Sequence, residues 1–593
     1  MSANYSYLAD SNGKTCDWLE LYNASNQTLS LSDYALTDDP SYPDKHPLPD
    51  VALAPGEYWI VILSNDKDVS SRYHVLPMGL SSQGDALYLT RGERLEDYTL
   101  IPALPTDMTY GRGQGSAAFS YLNKPTPGKA NTSGAELSAM PVAVTAQGCY
   151  NGVEYVDVEL SAPGSIYYTT DAEAPGANAT LYTGPIRITR NTVIRAQCRE
   201  PGKQPSQVLD LTYLLNQGDQ LSVVTVVADP TELLSWGGIY YNFWVDMEIP
   251  ATVSLFEAEG GGFTESCGLR MFGGYTRAYD KKSFACMFRD RYGAPSLQYP
   301  LFGEDNLQEF QAFVLRTGGQ DSIKGRIRDE MITSLVAQYT DVPVQDYRPV
   351  TLYLNGRFWG VYFVREKVNE DYIAGHYNVP AEDVIIQFGN GNDPEYRSLI
   401  HYVRTHDLSV QEHYDYVAQR IDIDEFIDYH AVQMWTGNVD MGNIKYFKLP
   451  DGKWTWILYD TDLALTMADY NSVVEQLNPA GTGADDLFST DLIVGLMKNP
   501  QFREKFLRRM AWQAETIWNT PQLMEKIAYL ENMIRPDMER DIARWGESLD
   551  FWNAKLGYMR YVVENRGRFV YYHIRSYFHL SDSQMQELGF SKP

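Results

Sequence analysis

The chain is poor in cysteine and in positive charge, and it has no long apolar run. Five cysteines among 593 residues, Cys16, Cys149, Cys198, Cys267 and Cys286, are too few to staple a disulfide-built scaffold, and no CxxC pair marks a zinc site. Their spacing leaves two readings open. One pairs Cys149 with Cys198 and Cys267 with Cys286, leaving Cys16 odd; the other has free buried thiols. Lysine and arginine number 49 against 77 aspartates and glutamates, a formal charge of −28. That balance argues against a general binder of nucleic acid or of an anionic membrane, which needs a cationic face, but it leaves room for a local basic pocket holding one nucleotide. No stretch of about 18 apolar residues occurs, so no membrane-spanning helix is expected. The opening MSANYSYLADSNG has no charged and apolar secretory leader. Tyrosine is abundant, with 43 residues, which suits β-rich, secreted or surface-binding proteins without excluding an enzyme.

At roughly 100–200 residues per domain, a chain this long divides into three or four. Residues 1–133 read as short alternating strands, among them DWLELYN, EYWIVILS and DALYLTRG, separated by Pro, Gly and Asp turns: a β-sandwich pattern. Their carboxylates fall in turns and on solvent faces, so no chemistry is placed there. After the linker NTSGAELSAMP, residues 134–216 read as a second β-rich unit. Tyr167, Tyr168 and Tyr182 on its strands either pack or stack on glycan.

From residue 217 the character changes. The stretch CGLRMFGGYTRAYDKKSFACMFRDRYG reads as two strands around a Gly-Gly turn, with Arg270, Arg277, Lys281 and Lys282 clustered. A glycine-rich turn exposes backbone N–H groups, and a nearby Lys or Arg neutralises phosphate oxygens; a solvated hairpin end has the same composition. Residues 326–339 show helical spacing of Ile327, Met331, Leu335 and Val336. The Asn355-Gly356 turn between two apolar runs signals a hairpin. Its second strand delivers Arg365, Glu366 and Lys367, with Glu366 on the opposite face from its neighbours. Residues 394–437 look helical, with His430 packed rather than catalytic. Beyond 484 nearly everything is helical, with Pro500 and Pro521 at helix starts.

The stretch 435–465, WTGNVDMGNIKYFKLPDGKWTWILYDTDLAL, joins these regions. A helix runs into a polar turn with Asn438, Asp440 and Asn443; a hairpin turning at Pro450-Asp451-Gly452 follows, then Asp460 and Asp462. Carboxylate, amide, hairpin and second carboxylate come in the order protein kinases use for the base and the metal ligands, without the HRD and DFG letters. Asp and Asn here also suit a helix cap and a turn, their commonest use.

Residues 1–133 also resemble the lamin-tail domain, through DWLELYN, LAPGEYWIVILS, GDALYL and KPTPGKAN. The family's first strand usually begins upstream, so a trimmed start would account for the missing leader. Residues 134–216, through YYTTD, LYTGPI and TVIRA, resemble the Ig-like chitobiase C-terminal type of module. Residues 217–593 resemble the CotH kinase family, named for an atypical spore-coat protein kinase. The carrying residues are Arg270-x-x-Gly273-Gly274 with Lys282-Ser283-Phe284, Leu315-Arg316-x-Gly318-Gly319-x-Asp321, Arg328-Asp329, Leu354-Asn355-Gly356, Arg365-Glu366, Asn438-x-Asp440-x-x-Asn443 and Asp460-x-Asp462.

The resemblance implies two N-terminal all-β Ig-like sandwiches followed by an α+β, two-lobed atypical kinase-like domain, its β-rich lobe at about 217–390 and its helical lobe at about 391–593. It implies Mg·ATP, with Mn²⁺ as an alternative metal, and transfer of the γ-phosphate to Ser or Thr of extracellular or cell-envelope proteins. Cell-surface or glycan contacts would fall to the N-terminal modules, and no nucleic acid is implied. Carried onto these positions, Asp440 is the catalytic base, Asp460 and Asn443 hold the metal, and Asp462 shares that role or steadies Asp460. Lys282 and Arg270 contact phosphate, with Lys281 a substitute, and Glu366 orients one of them. The family's usual Asn-Trp-Asp is Asn438-Val439-Asp440 here, a smaller middle residue beside the base. Two other functions stay open: a surface or adhesion protein using a kinase-like domain to bind nucleotide or partner, and a glycan-associated enzyme. Retained Asp440, Asn443 and Asp460 favour the kinase, because an adhesin has no use for metal ligands at this spacing.

Overall fold

The computed structural model describes residues 1–593 except 12, 67–68, 70, 114, 123, 480–488 and 547; the helical reading at 484–488 therefore lies outside the described residues. The N-terminal region is mostly β-strand and the C-terminal region helical. In the first part, Asp17–Tyr22, Tyr58–Leu63 and His74–Leu76 form one sheet, and His46–Pro47, Ala35–Thr37, Gly84–Arg91 and Arg94–Pro102 another. Leu36, Val61 and Leu63 lie in the core of this part. Between 142 and 215 a five-stranded sheet carries Ser165–Thr169 beside Thr192–Arg199. There Tyr168 and Tyr182 pack against the core, and Tyr167 lies under Arg199 at 4.5 Å. All five cysteines are free thiols, so neither bridge forms.

Seven strands then close a barrel. They are β1 (Ser222–Ala228), β2 (Glu248–Phe256), β3 (Gly262–Phe272), β4 (Ser283–Met287), β5 (Ala312–Arg316), β6 (Tyr347–Leu354) and β7 (Arg357–Glu366), in the spatial order β1-β2-β3-β4-β5-β7-β6. The β6–β7 turn is the Asn355-Gly356 hairpin read from sequence: both residues have positive φ, 47° and 74°, as a tight primed turn demands. Alternation along β7 does the structural work. Tyr362 and Val364 fill the barrel, whereas Val361 and Phe363 join the helical core, so one strand serves two interiors.

The helical part includes α1 (Arg328–Tyr339), α2 (Pro394–Thr405), α3 (Ile423–Thr436), α4 (Asp491–Leu496), α5 (Pro500–Thr516), α6 (Thr520–Trp545) and α7 (Leu549–Tyr577), packed around Trp435, Trp518 and Trp552. Asn499 and Asn519 cap α5 and α6, with prolines in the first turn where no N–H is needed. A small sheet of β8 (Ile385–Phe388), β9 (Lys445–Lys448) and β10 (Thr455–Ile457) lies at the junction of barrel and helices.

Candidate active site

Helix α3 is capped by Asp422, which accepts from the N–H groups of Asp424 and Glu425, and it stops at Gly437 with φ 61°. Its last carbonyls are fixed by the fully buried Arg566, which donates to Met434 and Trp435 at 3.0 and 2.7 Å. The polar turn of 438–443 thus leaves from an immobile point. Within it Asn438 Oδ1 accepts from the Asp440 N–H at 3.1 Å, which sets the direction of Asp440. The β9–β10 hairpin, turning at Asp451 with φ 56°, folds Asp460 back onto this turn.

Asn443 is the meeting point. Its Nδ2 donates to Asp440 Oδ2 and to Asp460 Oδ2, each at 2.8 Å. Three side chains singled out from sequence therefore converge. Burial, with Asp460 adding like charge, pushes the Asp440 carboxyl above its ordinary range.

Asp460 and Asp462 share one counter-ion that sequence reasoning assigned no role. Arg316, at the end of β5, pairs with Asp460, reaches Asp462 Oδ2 at 3.2 Å, and lies 3.5 Å from Asp329. Burial works against the guanidinium charge, but the three carboxylates outweigh it and hold the group charged. Asp462 is buried and also accepts from the Gln320 N–H at 2.7 Å, so it ties the Gly318-Gly319-Gln320 turn to the hairpin. Burial and Asp460 push its carboxyl up against the pull of Arg316.

Behind this layer lies a second one. Arg365, on the outer face of β7, donates to Asp329 and Glu330 at 3.0 Å each. Both acids stand in the first turn of α1, where the helix dipole favours negative charge. Asp329 Oδ1 also accepts the N–H and hydroxyl of Thr461 at 3.0 and 2.7 Å. Burial alone would raise the Asp329 carboxyl; Arg365, Arg316 and Thr461 bring it down to about 2. Glu330 goes the other way, to about 7, because burial exceeds the help from Arg365.

The basic residues expected at phosphate all have protein partners. Lys282 donates to the carbonyls of Arg277 and Tyr279 at 2.6 and 2.7 Å and lies 3.9 Å from the Phe243 ring, bracing the Gly-Gly loop from within. Arg270 pairs with Asp246 and lies 3.9 Å from Glu248. Lys281 is buried against Asp541 of α6. Glu366 orients neither Lys282 nor Arg270: it holds His376 at 2.7 Å and the Asp346 N–H at 2.9 Å. These placements have one physical reason. A charged side chain pairs with whatever partner tertiary packing sets beside it, and strand neighbours fix only the face.

Two further lysines, neighbours of one another, lie in this region, and one of them feels the Asp460 charge. Lys445, two residues past Asn443, donates to the Val368 carbonyl at 2.9 Å and lies 4.9 Å from the Tyr459 ring. Burial and then Lys367 lower its ammonium to about 8, while Glu370 and Asp460 oppose the shift. Lys367 is lowered by burial, and Arg270 and Arg289 add to the effect. Its signal in sequence was the Arg365-Glu366-Lys367 run; that of Lys445 was its place on the strand after Asn443.

The donor set fits a hard cation. One carboxylate from Asp460 and one amide oxygen from Asn443 are what Mg²⁺ takes from protein when phosphate oxygens and water complete its octahedron. The NH₂ group of Asn443 now bridges the carboxylates; rotation of the amide offers its oxygen to the same point. Among the described residues no group of three or more His, Cys, Asp or Glu is disposed as an all-protein cage.

A family model described as CotH kinase protein matches residues 269–570, just over half of the chain. A second, described as Chitobiase/beta-hexosaminidase C-terminal domain, matches residues 145–210. The search of curated proteins returned no match.

Proposed function

The chain belongs to the CotH kinase protein family, and on that premise we propose that it moves the γ-phosphate of ATP onto Ser or Thr hydroxyls of extracytoplasmic proteins. The observation that carries this reading is the amide of Asn443 spanning Asp440 and Asp460, each at 2.8 Å. It supports reading Asp440 as a base and Asp460 as a metal-holding carboxylate on either side of one neutral ligand, parts that phosphoryl transfer uses.

In this reading the acceptor hydroxyl attacks the γ-phosphorus, the bond to the β–γ bridging oxygen breaks with ADP leaving, and the hydroxyl proton passes to Asp440. Positioning and proton acceptance of this kind are worth about 10²–10⁴-fold. Asp460 and Asn443 hold Mg²⁺, with Mn²⁺ as the alternative; the bound metal supplies neutralisation of phosphate charge. Asp462 holds the Gly319-Gln320 turn and Arg316. Lys445, which feels the Asp460 charge, offers a cationic group for phosphate. Arg316 keeps the paired acids from repelling one another before nucleotide arrives.

We read the chain as three units: 1–133 as a lamin-tail-like sandwich, 134–216 as an Ig-like module and 217–593 as the two-lobed kinase-like unit. The two family matches fall inside the second and third units and support that division. The extracytoplasmic setting rests on resemblance to secreted proteins of this arrangement.

The test is incorporation of label from γ-labelled ATP with Mg²⁺ or Mn²⁺, into the protein itself or a Ser-rich substrate. Wild type is compared with Asp440→Asn and Asp460→Asn. Transfer by wild type and its loss in both variants is the expected result. No transfer and no metal-dependent thermal shift with ATP would sink the kinase reading; undiminished transfer in both variants would sink the residue assignment.

A further inference from the structure

A cavity of about 210 Å³ opens in the helical part, and none of the residues assigned above forms it. Its apolar walls are Phe426 of α3, Trp456 of β10, Ile400 of α2 and Ile493 of α4. Phe426 and His430, four residues apart, present one face of α3 to it, with ring centroids 4.4 Å apart. A dry cavity of about 150 Å³ already accepts benzene, so this one has room for an aromatic or branched side chain.

Charge at the rim points to an occupant. His430 is only 5% exposed and faces the buried Gln476 amide. Burial lowers its imidazole to about 4 against the pull of Gln476, so it lines the cavity as a neutral group. At the rim, Arg397 and Arg404 project from one face of α2. Arg404 is paired with Asp491 at 2.7 Å, while Arg397 is exposed and makes no ion pair among the described residues. In a chain of charge −28, an exposed arginine at a cavity mouth suits an anion.

The location relates the cavity to the candidate active site. Gly389, Asn390 and Gly391 border it, and so does Ile444. The Gly389 N–H donates to the Ile444 carbonyl at 2.9 Å, and Ile444 directly follows Asn443. The cavity thus opens along the backbone that carries the metal-holding amide.

Resting on the kinase reading, we propose that this cavity anchors the acceptor polypeptide by a bulky apolar side chain with a carboxylate beside it. The apolar group fills the space between Phe426, Trp456 and Ile493, and the carboxylate pairs with Arg397. Acceptor hydroxyls are then chosen by their distance along the chain from an apolar-acidic pair, which gives specificity to a site whose chemistry needs only a hydroxyl.

The experiment uses full-length protein and a set of fluorescein-labelled Ser peptides with a Phe-Asp pair stepped through successive offsets. Binding is read by anisotropy without ATP, in wild type and in Asp440→Asn; transfer is read separately. Tighter binding at one offset is expected in both proteins. Arg397→Glu should raise KM for the Phe-Asp peptide about tenfold, with the loss in KM rather than kcat, and a Phe-Lys peptide should recover it. Ile493→Trp, which fills the cavity, should abolish the preference for Phe; if it fails to fold, the Arg397→Glu charge swap decides alone. Binding without offset preference, or Arg397→Glu indifferent to peptide charge, overturns the proposal. Offset-dependent binding with no transfer by wild type would leave the cavity assignment standing and remove the kinase reading.

Discussion

Asp541→Asn is the sharpest test of how barrel and helices are held together. Asp541 lies on α6 with no exposed surface. Its carboxylate pairs with Lys281 and Arg326 and accepts the Val361 N–H of β7 at 2.7 Å. Burial alone would raise its pKa, but the two cations outweigh burial and bring it down. The amide keeps the shape and removes a negative charge that faces Lys281 and Arg326, 7% and 4% exposed. Breaking a buried pair in this way costs about 3–5 kcal/mol. For the roughly 300 residues of the family-matched span, at about 2.1 cal/mol/K per residue, the unfolding entropy is on the order of 0.6 kcal/mol/K, so the transition should fall by about 5–8 °C. Calorimetry of the full chain measures it, with only the transition of this span expected to move. Lys281→Met and the double variant complete a cycle whose coupling should exceed about 1.5 kcal/mol. A fall of under about 1 °C, or strict additivity, would refute the reasoning.

Gly319 has φ 56°, and a Cβ there would overlap the Asp462 carboxylate. Gly319→Ala should therefore cost about 1–3 kcal/mol and cut transfer well beyond the stability loss, as labelled-ATP incorporation at a temperature where the variant is folded would show. The His376 pair with Glu366 is pH-dependent. Burial lowers the imidazole pKa, yet the bond to Glu366 and its charge bring it above the ordinary histidine value. A folded-state pKa above the unfolded one means the stabilisation is complete below the unfolded value and disappears as pH rises through the folded one. His376→Gln should accordingly lower the melting temperature more at about pH 6 than at about pH 9; an equal fall at both would show that the pair carries no net charge coupling.

Some of this architecture is written locally. The Asn355-Gly356 turn, the prolines opening α5 and α6 and the packed His430 need only nearest neighbours, and each is as its residues indicate. The convergence of Asp440, Asn443 and Asp460 belongs to the same class, because one hairpin closes the gap and loops of that length have few ways to fold. The partners of the isolated charges were not legible. Arg316 meets Asp460 across 144 positions, Lys281 meets Asp541 across 260, and Glu366 takes His376 rather than Lys282 or Arg270. A side chain's type and strand parity decide that it is charged and which way it faces. Which opposite charge it then meets depends on how the barrel closes and where α1 and α6 dock, and that is settled by burial of apolar surface over the whole domain. Local turn geometry and the order of base, amide and acid are thus legible in the chain alone. That Arg316 is the shared counter-ion of Asp460 and Asp462 is not, because the pairing depends on where apolar packing sets β5 against the hairpin.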